Sequence, residues 1–410
     1  GPAPPPIVGL RDHLPDDPHS MNPERARRLA VLLVALSTPA LSGALSGQST
    51  DPLSAAVQVY IDSLTHNSGI PGLTLGLALP DGTSRGFAAG WSDTTAHREM
   101  RATDRMLQGS VGKTYFGAVA LQLVSEGRLD LDARLADYLG DEPWYDRLPN
   151  GDDATIRQLM SHTSGIVRYE LNPAFLQDLT REPMRTWTAE ERLAYLFGME
   201  PPFAAGEGWD YSDTNYILVA MAVEKVLGTL IYDEIDRRLL GPLSLENTVR
   251  SDRPAVPGIV NGYGGPENPF GDFDETVSEG RLVFNPQFEW AGGGFASTTE
   301  DLAIWVRHIH EGRAFDPTLL DDFRTGTPAP LGPEASYGLG VVMMQLPAGT
   351  AWGHSGFMPG YRTEAYYFPD YGFALALQVN SSDRPAFDRP PLLLLSELAE
   401  IVSEHLGLGR

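Results

Sequence analysis

Gly109-Ser-Val-Gly-Lys113-Thr-Tyr-Phe-Gly-Ala-Val-Ala-Leu-Gln-Leu-Val-Ser-Glu-Gly127 is the stretch on which the fold turns. Almost every position after Lys113 is apolar or small, so residues 110–126 read as a helix stopped by Gly127, with little face left for water. Such a helix has to be covered, and the cover comes from the two ends of the chain. Before it, residues 52–64 read as a helix with Pro52 in the first turn, where the missing N–H costs nothing. Residues 73–79 and 85–91 follow as strand-like runs joined by the turn signal Pro80-Asp81-Gly82. After it, 337–346, 351–358, 364–368 and 373–380 read as strands, and 392–406 as a closing apolar helix. The middle carries helical periods broken by Gly/Pro-rich loops. Thr188-Ala-Glu-Glu191 and Ser297-Thr-Thr-Glu300 have capping-box spacing, the second opening a helix over 301–310. The expected class is α/β in the α+β sense: an antiparallel sheet built from both chain ends and flanked by helices, with a mostly helical insertion and an active site where the two meet. The boundaries read as 45–134 plus 286–410 for the sheet part and 135–285 for the insertion.

The composition sets limits on function. A chain of 410 residues with 42% hydrophobic and 9% aromatic content is that of a folded globular protein. Its formal charge of −24 argues against nucleic acid or an anionic membrane surface as partner. Residues 1–20 read as an appended leader, with a Gly-Pro start and a proline run before Met21. From Met21 the chain reads as a secretory signal: Arg25, Arg27 and Arg28, an apolar run over 29–36, then small residues with cleavage after Ala44. The expectation is export to the periplasm or beyond, without a membrane anchor. There are no cysteines, which excludes disulfides, thiol nucleophiles and Cys-ligated metals. Of the 30 basic residues only Lys113 and Lys225 are lysine. In a chain that otherwise uses arginine, a retained lysine is suited to a task arginine cannot perform, the loss of its proton.

Three short elements carry chemistry. Ser110 and Lys113 stand three apart, so on a helix they share a face. Ser110 sits at the helix start, where free N–H groups favour developing negative charge, and a neighbouring base turns its hydroxyl into a nucleophile. The second element is Tyr211-Ser-Asp213-Thr-Asn-Tyr216, whose phenol, beside an ammonium group, is expected to have a lowered pKa and to shuttle protons. The third is Trp352-Gly-His354-Ser-Gly-Phe357, a strand whose glycines let a substrate backbone lie along it. Read one at a time, Tyr211 is a core tyrosine and His354 a satisfied strand histidine.

Together and in this order, the three resemble the signature elements of the serine β-lactamase and penicillin-binding-protein superfamily. The resemblance is to the branch holding class C β-lactamases, D-Ala-D-Ala carboxypeptidases, D-aminopeptidases and related esterases. Supporting stretches are similar too: Leu123-Val-Ser-Glu-Gly-Arg-Leu-Asp-Leu131, Leu159-Met-Ser-His-Thr-Ser-Gly-Ile166, Gly241-Pro-Leu-Ser244 and Gly292-Gly-Gly294. The resemblance runs from about 55 to 405. It implies an acyl-enzyme mechanism, with Ser110, Lys113 and Tyr211 catalytic, and the backbone N–H groups of Ser110 and Phe357 as an oxyanion hole. It also implies substrate binding by Asp213, His354, Ser355 and Gly356.

Two positions depart from the family's pattern. Asp213 stands where Asn is common and can only accept when ionised; it is expected to pair with Lys113, keep it charged and shift the base role to Tyr211. His354 stands where β-lactamases often have lysine, which weakens the case for binding a substrate carboxylate. Arg362 reads more readily as a surface arginine than as the missing cation. His308-x-His310 points apart on a helix, and Asp272-Phe-Asp-Glu275 lacks the full calcium spacing, so neither reads as a metal site. The expected function is a serine hydrolase of amides or esters, either a D-Ala-type peptidase or carboxypeptidase or a carboxylesterase. It would need no cofactor or metal and act on a small-molecule or peptide substrate. The alternatives are a class C-like β-lactamase and a penicillin-binding sensor without turnover. Oligomeric state is not legible.

Overall fold

Strand β1 (Gly72–Ala78) and the last strand of the main sheet lie side by side, antiparallel, with Leu73 opposite Val379 and Leu77 opposite Leu375. The chain ends therefore meet at the centre of one sheet. This computed structural model describes residues 51–265, 275–332, 334–383 and 387–408. The leader, the secretory segment and residues 272–274 of the acidic run lie outside them.

Among the described residues the sheet has nine strands. In chain order they are β1, β2 (Ser84–Asp93), β3 (Arg98–Glu99), β4 (Thr327–Pro328), β5 (Ser336–Tyr337), β6 (Val342–Leu346), β7 (Gly349–Met358), β8 (Tyr361–Phe368) and β9 (Phe373–Val379). Their spatial order is β3-β2-β1-β9-β8-β7-β6-β5-β4, with neighbouring strands antiparallel throughout. β1 and β9 are buried along their whole length, because helices cover both faces. On one side lie α1 (Pro52–Asn67) and the closing helix α5 (Pro391–His405), sharing a core with Leu73, Leu75, Leu377 and Val379. On the other lies α4 (Thr299–His310), and beyond it α2 (Lys113–Ser125) and α3 (Asp213–Leu227), whose apolar residues join a second core. The α2 side chains from Lys113 to Leu121 are all buried, as a helix without a wet face requires.

The structure moves three boundaries. Ser110 is not inside an α-helix but in a 3₁₀ turn, Gly109–Gly112, which hands over to α2 at Lys113. The expected strand over 337–346 is two strands, because the Gly338–Gly340 segment turns the chain and Gly340 takes φ +94°. The cap of α4 is Thr298 with Asp301, one residue on from the expected Ser297/Glu300 pair. Ser297 belongs instead to a short strand and shares a hydrogen bond with Thr248, while Glu300 accepts from Ser84. The Thr188/Glu191 capping box is present as expected.

Candidate active site

The 3₁₀ turn places Ser110 at the mouth of α2, partly exposed, while Lys113 one turn later is fully buried. Backbone crowding explains the local sequence: a Cβ on Gly112 would stand 1.7 Å from the carbonyl oxygen of Gly293, so no larger residue fits between Ser110 and Lys113. The Lys113 Nζ donates to Ser110 Oγ at 3.1 Å, to Asp213 Oδ1 and to the carbonyl of Gly292. An ammonium has three N–H bonds, and each has its acceptor. Burial alone would push the Lys113 pKa down, but the Asp213 carboxylate beside it carries it above the ordinary lysine value. Lys113 is thus held charged in the resting site.

Asp213 opens α3 and spreads its two oxygens between two cations. Oδ1 takes Lys113, and Oδ2 takes Arg168 Nη2 at 3.0 Å. Burial opposes its ionisation, yet Lys113 and Arg168 hold its carboxyl well below the usual carboxylate range. Glu170 joins this cluster, with its Oε2 3.9 Å from Arg168 Nε and its carboxyl within hydrogen-bonding reach of Asp213. Burial, and then the negative Asp213, push its pKa well up, favouring the neutral acid.

Tyr211 stands over this pair, with its ring centroid 4.9 Å from Lys113 Nζ and 5.5 Å from the Arg168 guanidinium carbon. Its hydroxyl is buried and makes no hydrogen bond among the described residues. The expected lowering of its pKa does not occur. Burial comes first and Asp213 adds to it, so despite Lys113 the phenol is pushed up to about 12. His162, which lay in a quoted stretch without a role, packs its ring 4.3 Å from that of Tyr211. Its Nδ1 accepts from Ser212 N at 3.3 Å and faces Asn215 Nδ2 at 3.0 Å, which pins the segment bearing Tyr211 and Asp213.

The third wall is β7. Its pairing with β6 ends at Gly353, while that with β8 continues to Met358, so His354 to Met358 present one unpaired edge beside Ser110. A Cβ on Gly356 would lie 1.9 Å from the Gln108 carbonyl and 3.3 Å from the Ser110 amide nitrogen. The strand thus meets the Gly109–Gly112 turn backbone to backbone, with Phe357 the next residue. His354 Nδ1 donates to the Ser355 carbonyl at 2.6 Å, and its Nε2 accepts from Tyr337 Oη at 3.0 Å. Burial, then Lys113, lower its pKa to about 3, so it stays neutral. The Ser355 hydroxyl is engaged within the sheet: it donates to Glu364 and lies 2.9 Å from Tyr366 Oη. Arg362 is not a surface residue. It is 7% exposed, its Nη2 donates to the Ser382 carbonyl at 3.4 Å, and its guanidinium lies 5.4 Å from the Phe357 ring.

Arg168, Glu170 and His162 are the residues that sequence reasoning missed. His162 lay in a quoted stretch and Arg168 two residues beyond its end, but nothing in the order of residues says that Arg168 reaches Asp213. A serine in a tight turn, a buried lysine in register with it, a phenol above both and an open strand edge opposite form an arrangement chemically equipped for acyl transfer. The Beta-lactamase family model matches residues 57–398. The chain belongs to that family. Among solved structures, this beta-lactamase-family hydrolase resembles a D-stereospecific amidohydrolase from Streptomyces sp., with 29% identity, TM-score 0.71, and 83% of this chain and 97% of that chain covered. The D-amino acid amidase from Ochrobactrum anthropi SV3, complexed with D-phenylalanine, shares the fold at 23% identity and TM-score 0.73, covering 87% and 99%. A D-aminopeptidase from Brucella canis is 23% identical over 331 residues, 79% of this chain; the chain spans 59% of that relative's length.

Proposed function

We propose that the chain is a serine hydrolase of D-aminoacyl amides, working through an acyl-enzyme on Ser110. The observation that carries this reading is the Ser110–Lys113–Asp213 line with the Tyr211 phenol beside it. In acylation, Ser110 Oγ attacks the amide carbonyl as its proton passes to the basic form of the Tyr211/Lys113 pair. Because Asp213 keeps Lys113 charged, that basic form is the Tyr211 phenolate, a minor species at neutral pH. The carbonyl oxygen takes its negative charge between the amide groups of Ser110 and Phe357, each donor worth roughly 3 kcal/mol to the transition state. Tyr211 returns the proton to the departing amine, and the C–N bond breaks. Water then repeats the cycle on the ester and releases the acid.

The choice of an amide with a free amino group rests on two supports. The relatives named above are amidases and aminopeptidases of D-configuration. His354 is neutral, so it offers no fixed cation for the terminal carboxylate of a D-Ala-D-Ala peptide. The test compares p-nitroanilides of D- and L-phenylalanine, D-Ala-D-Ala and a labelled penicillin, with Ser110→Ala alongside. The expected result is turnover of the D-anilide at least tenfold above the L form, lost in Ser110→Ala. Preferred release of D-Ala from the dipeptide would replace this reading with a carboxypeptidase; a lasting penicillin adduct without turnover would replace it with a sensor.

A further inference from the structure

Arg168 has no place in the elements that carry the family resemblance, yet it is built into the site. It follows the stretch that holds His162, with Gly165 at φ +68° turning the chain toward α3. Its side chain is 14% exposed, next to an Asp213 side chain at 13% and a Lys113 at 0%. The arrangement is a row: Lys113, then the two oxygens of Asp213, then the guanidinium, with Tyr211 facing both cations. An aspartate at position 213 that met Lys113 alone would leave its outer oxygen free to turn away from the lysine. With Arg168 on that oxygen, the carboxylate is held between two cations, and a second cation stands 5.5 Å from the Tyr211 ring beside Lys113.

We propose that Arg168 is a positioning residue of the acylation step, holding Asp213 on Lys113 and bringing a second cation to Tyr211. The inference rests on the acyl-transfer reading above. Apart from Lys113, the other titratable groups around Tyr211 do not supply such a cation. Tyr216 and Tyr337 are phenols raised by burial. His162 and His354 are lowered by burial and stay neutral. Glu170 favours its acid form. Glu289, which lies behind Gly293, is raised to about 8, by burial first and with Asp213 adding to the rise, so its ionisation is common to wild type and the Arg168 single variants and moves down where Asp213 is replaced.

The test is the pH profile of kcat/KM on a D-aminoacyl p-nitroanilide for wild type, Arg168→Gln, Arg168→Lys, Asp213→Asn and the double variant Arg168→Gln/Asp213→Asn. Removing the cation disfavours the phenolate, so Arg168→Gln moves the ascending limb, along which activity rises with pH, up by about one pH unit, close to a tenfold loss at any pH below it. KM changes far less than kcat. Arg168→Lys keeps the limb near that of wild type. Asp213→Asn moves it down, and the double variant falls between the two single ones. A folded Arg168→Gln with an unmoved limb overturns the proposal, as does Arg168→Lys as defective as the glutamine. Where Arg168→Gln does not fold, the double variant decides: a limb above that of Asp213→Asn supports the proposal, and coincidence sinks it. Wild-type turnover that survives Ser110→Ala is a different failure, that of the acyl-enzyme reading itself.

Discussion

The chain has two lysines, and both are ion-paired, but in opposite settings. Lys225 lies near the end of α3, its side chain 42% exposed, bonded to Asp141 at 3.0 Å and Glu142 at 2.7 Å. Lys113 lies at the other end of the α2/α3 layer, 0% exposed, between Ser110, Asp213 and Gly292. Rarity of lysine in the sequence singles out both; only one sits in the site. At the surface, water screens the charge and the pair can change partners at little cost. In the interior each N–H has one acceptor, so the same ammonium fixes where protons can go. What distinguishes the two is burial, not residue type.

The comparison breaks most visibly at Lys113. Arginine there keeps the charge but brings a wider, planar group that does not fit among three acceptors and displaces Ser110 and Tyr211 from each other. Lys113→Arg is expected to lower kcat by about 10³-fold or more, a size typical of disrupting general acid–base catalysis. Tyr211→Phe comes next, with an expected loss of roughly 10²–10³-fold. Its signature lies in stability. The Tyr211 hydroxyl has no hydrogen bond among the described residues, so deleting it removes a buried unpaired group. The melting temperature of Tyr211→Phe should therefore hold or rise. A fall of several degrees would mean that the hydroxyl has a structural partner.

The Ser110–Lys113 relation was legible because it is local: three residues apart, one turn, one face. The sheet was legible from apolar runs at both ends, since strands covered on both faces read as continuous apolar segments. Asp213 meeting Lys113 followed from the order of the motifs. What was not legible depends on distance or dielectric. Arg168 reaches Asp213 across 45 residues of irregular chain, and no periodicity encodes that contact. The Tyr211 pKa was misjudged in sign because the sequence names the neighbouring cation but not the burial that outweighs it. Arg362 was placed at the surface because arginine usually is, whereas β8 carries it inward. The hydroxyl of Ser355 faces Glu364 because register decides, and register belongs to the folded sheet.

Asp213→Asn sharpens the comparison more finely. The Asp213 charge raises the pKa of both Lys113 and Tyr211. Removing it lowers both, so the ascending limb of kcat/KM should move to lower pH by about one unit, whichever group is the base. An unmoved limb would show that Asp213 has no hold on the proton.

The smallest effect is expected at Lys225, and there the smallness is the point. Lys225→Gln removes a cation facing two carboxylates, Asp141 and Glu142, on a part of the surface already rich in acid. The Lys225 pKa is raised, its hydrogen bond to Glu142 first and that to Asp141 next, so the pair contributes only below that raised pKa. For an exposed pair this contribution is small and is reduced further by salt. Urea unfolding at pH 7 should show a small loss that shrinks between 0.05 and 0.5 M salt, on the order of a threefold change in Debye length. The pH profile of kcat/KM should not move. A shifted limb in Lys225→Gln would mean that charge on the far end of α3 is felt at Tyr211. The contrast between the two lysines would then be one of degree, set by the field of the whole acidic surface and not by burial alone.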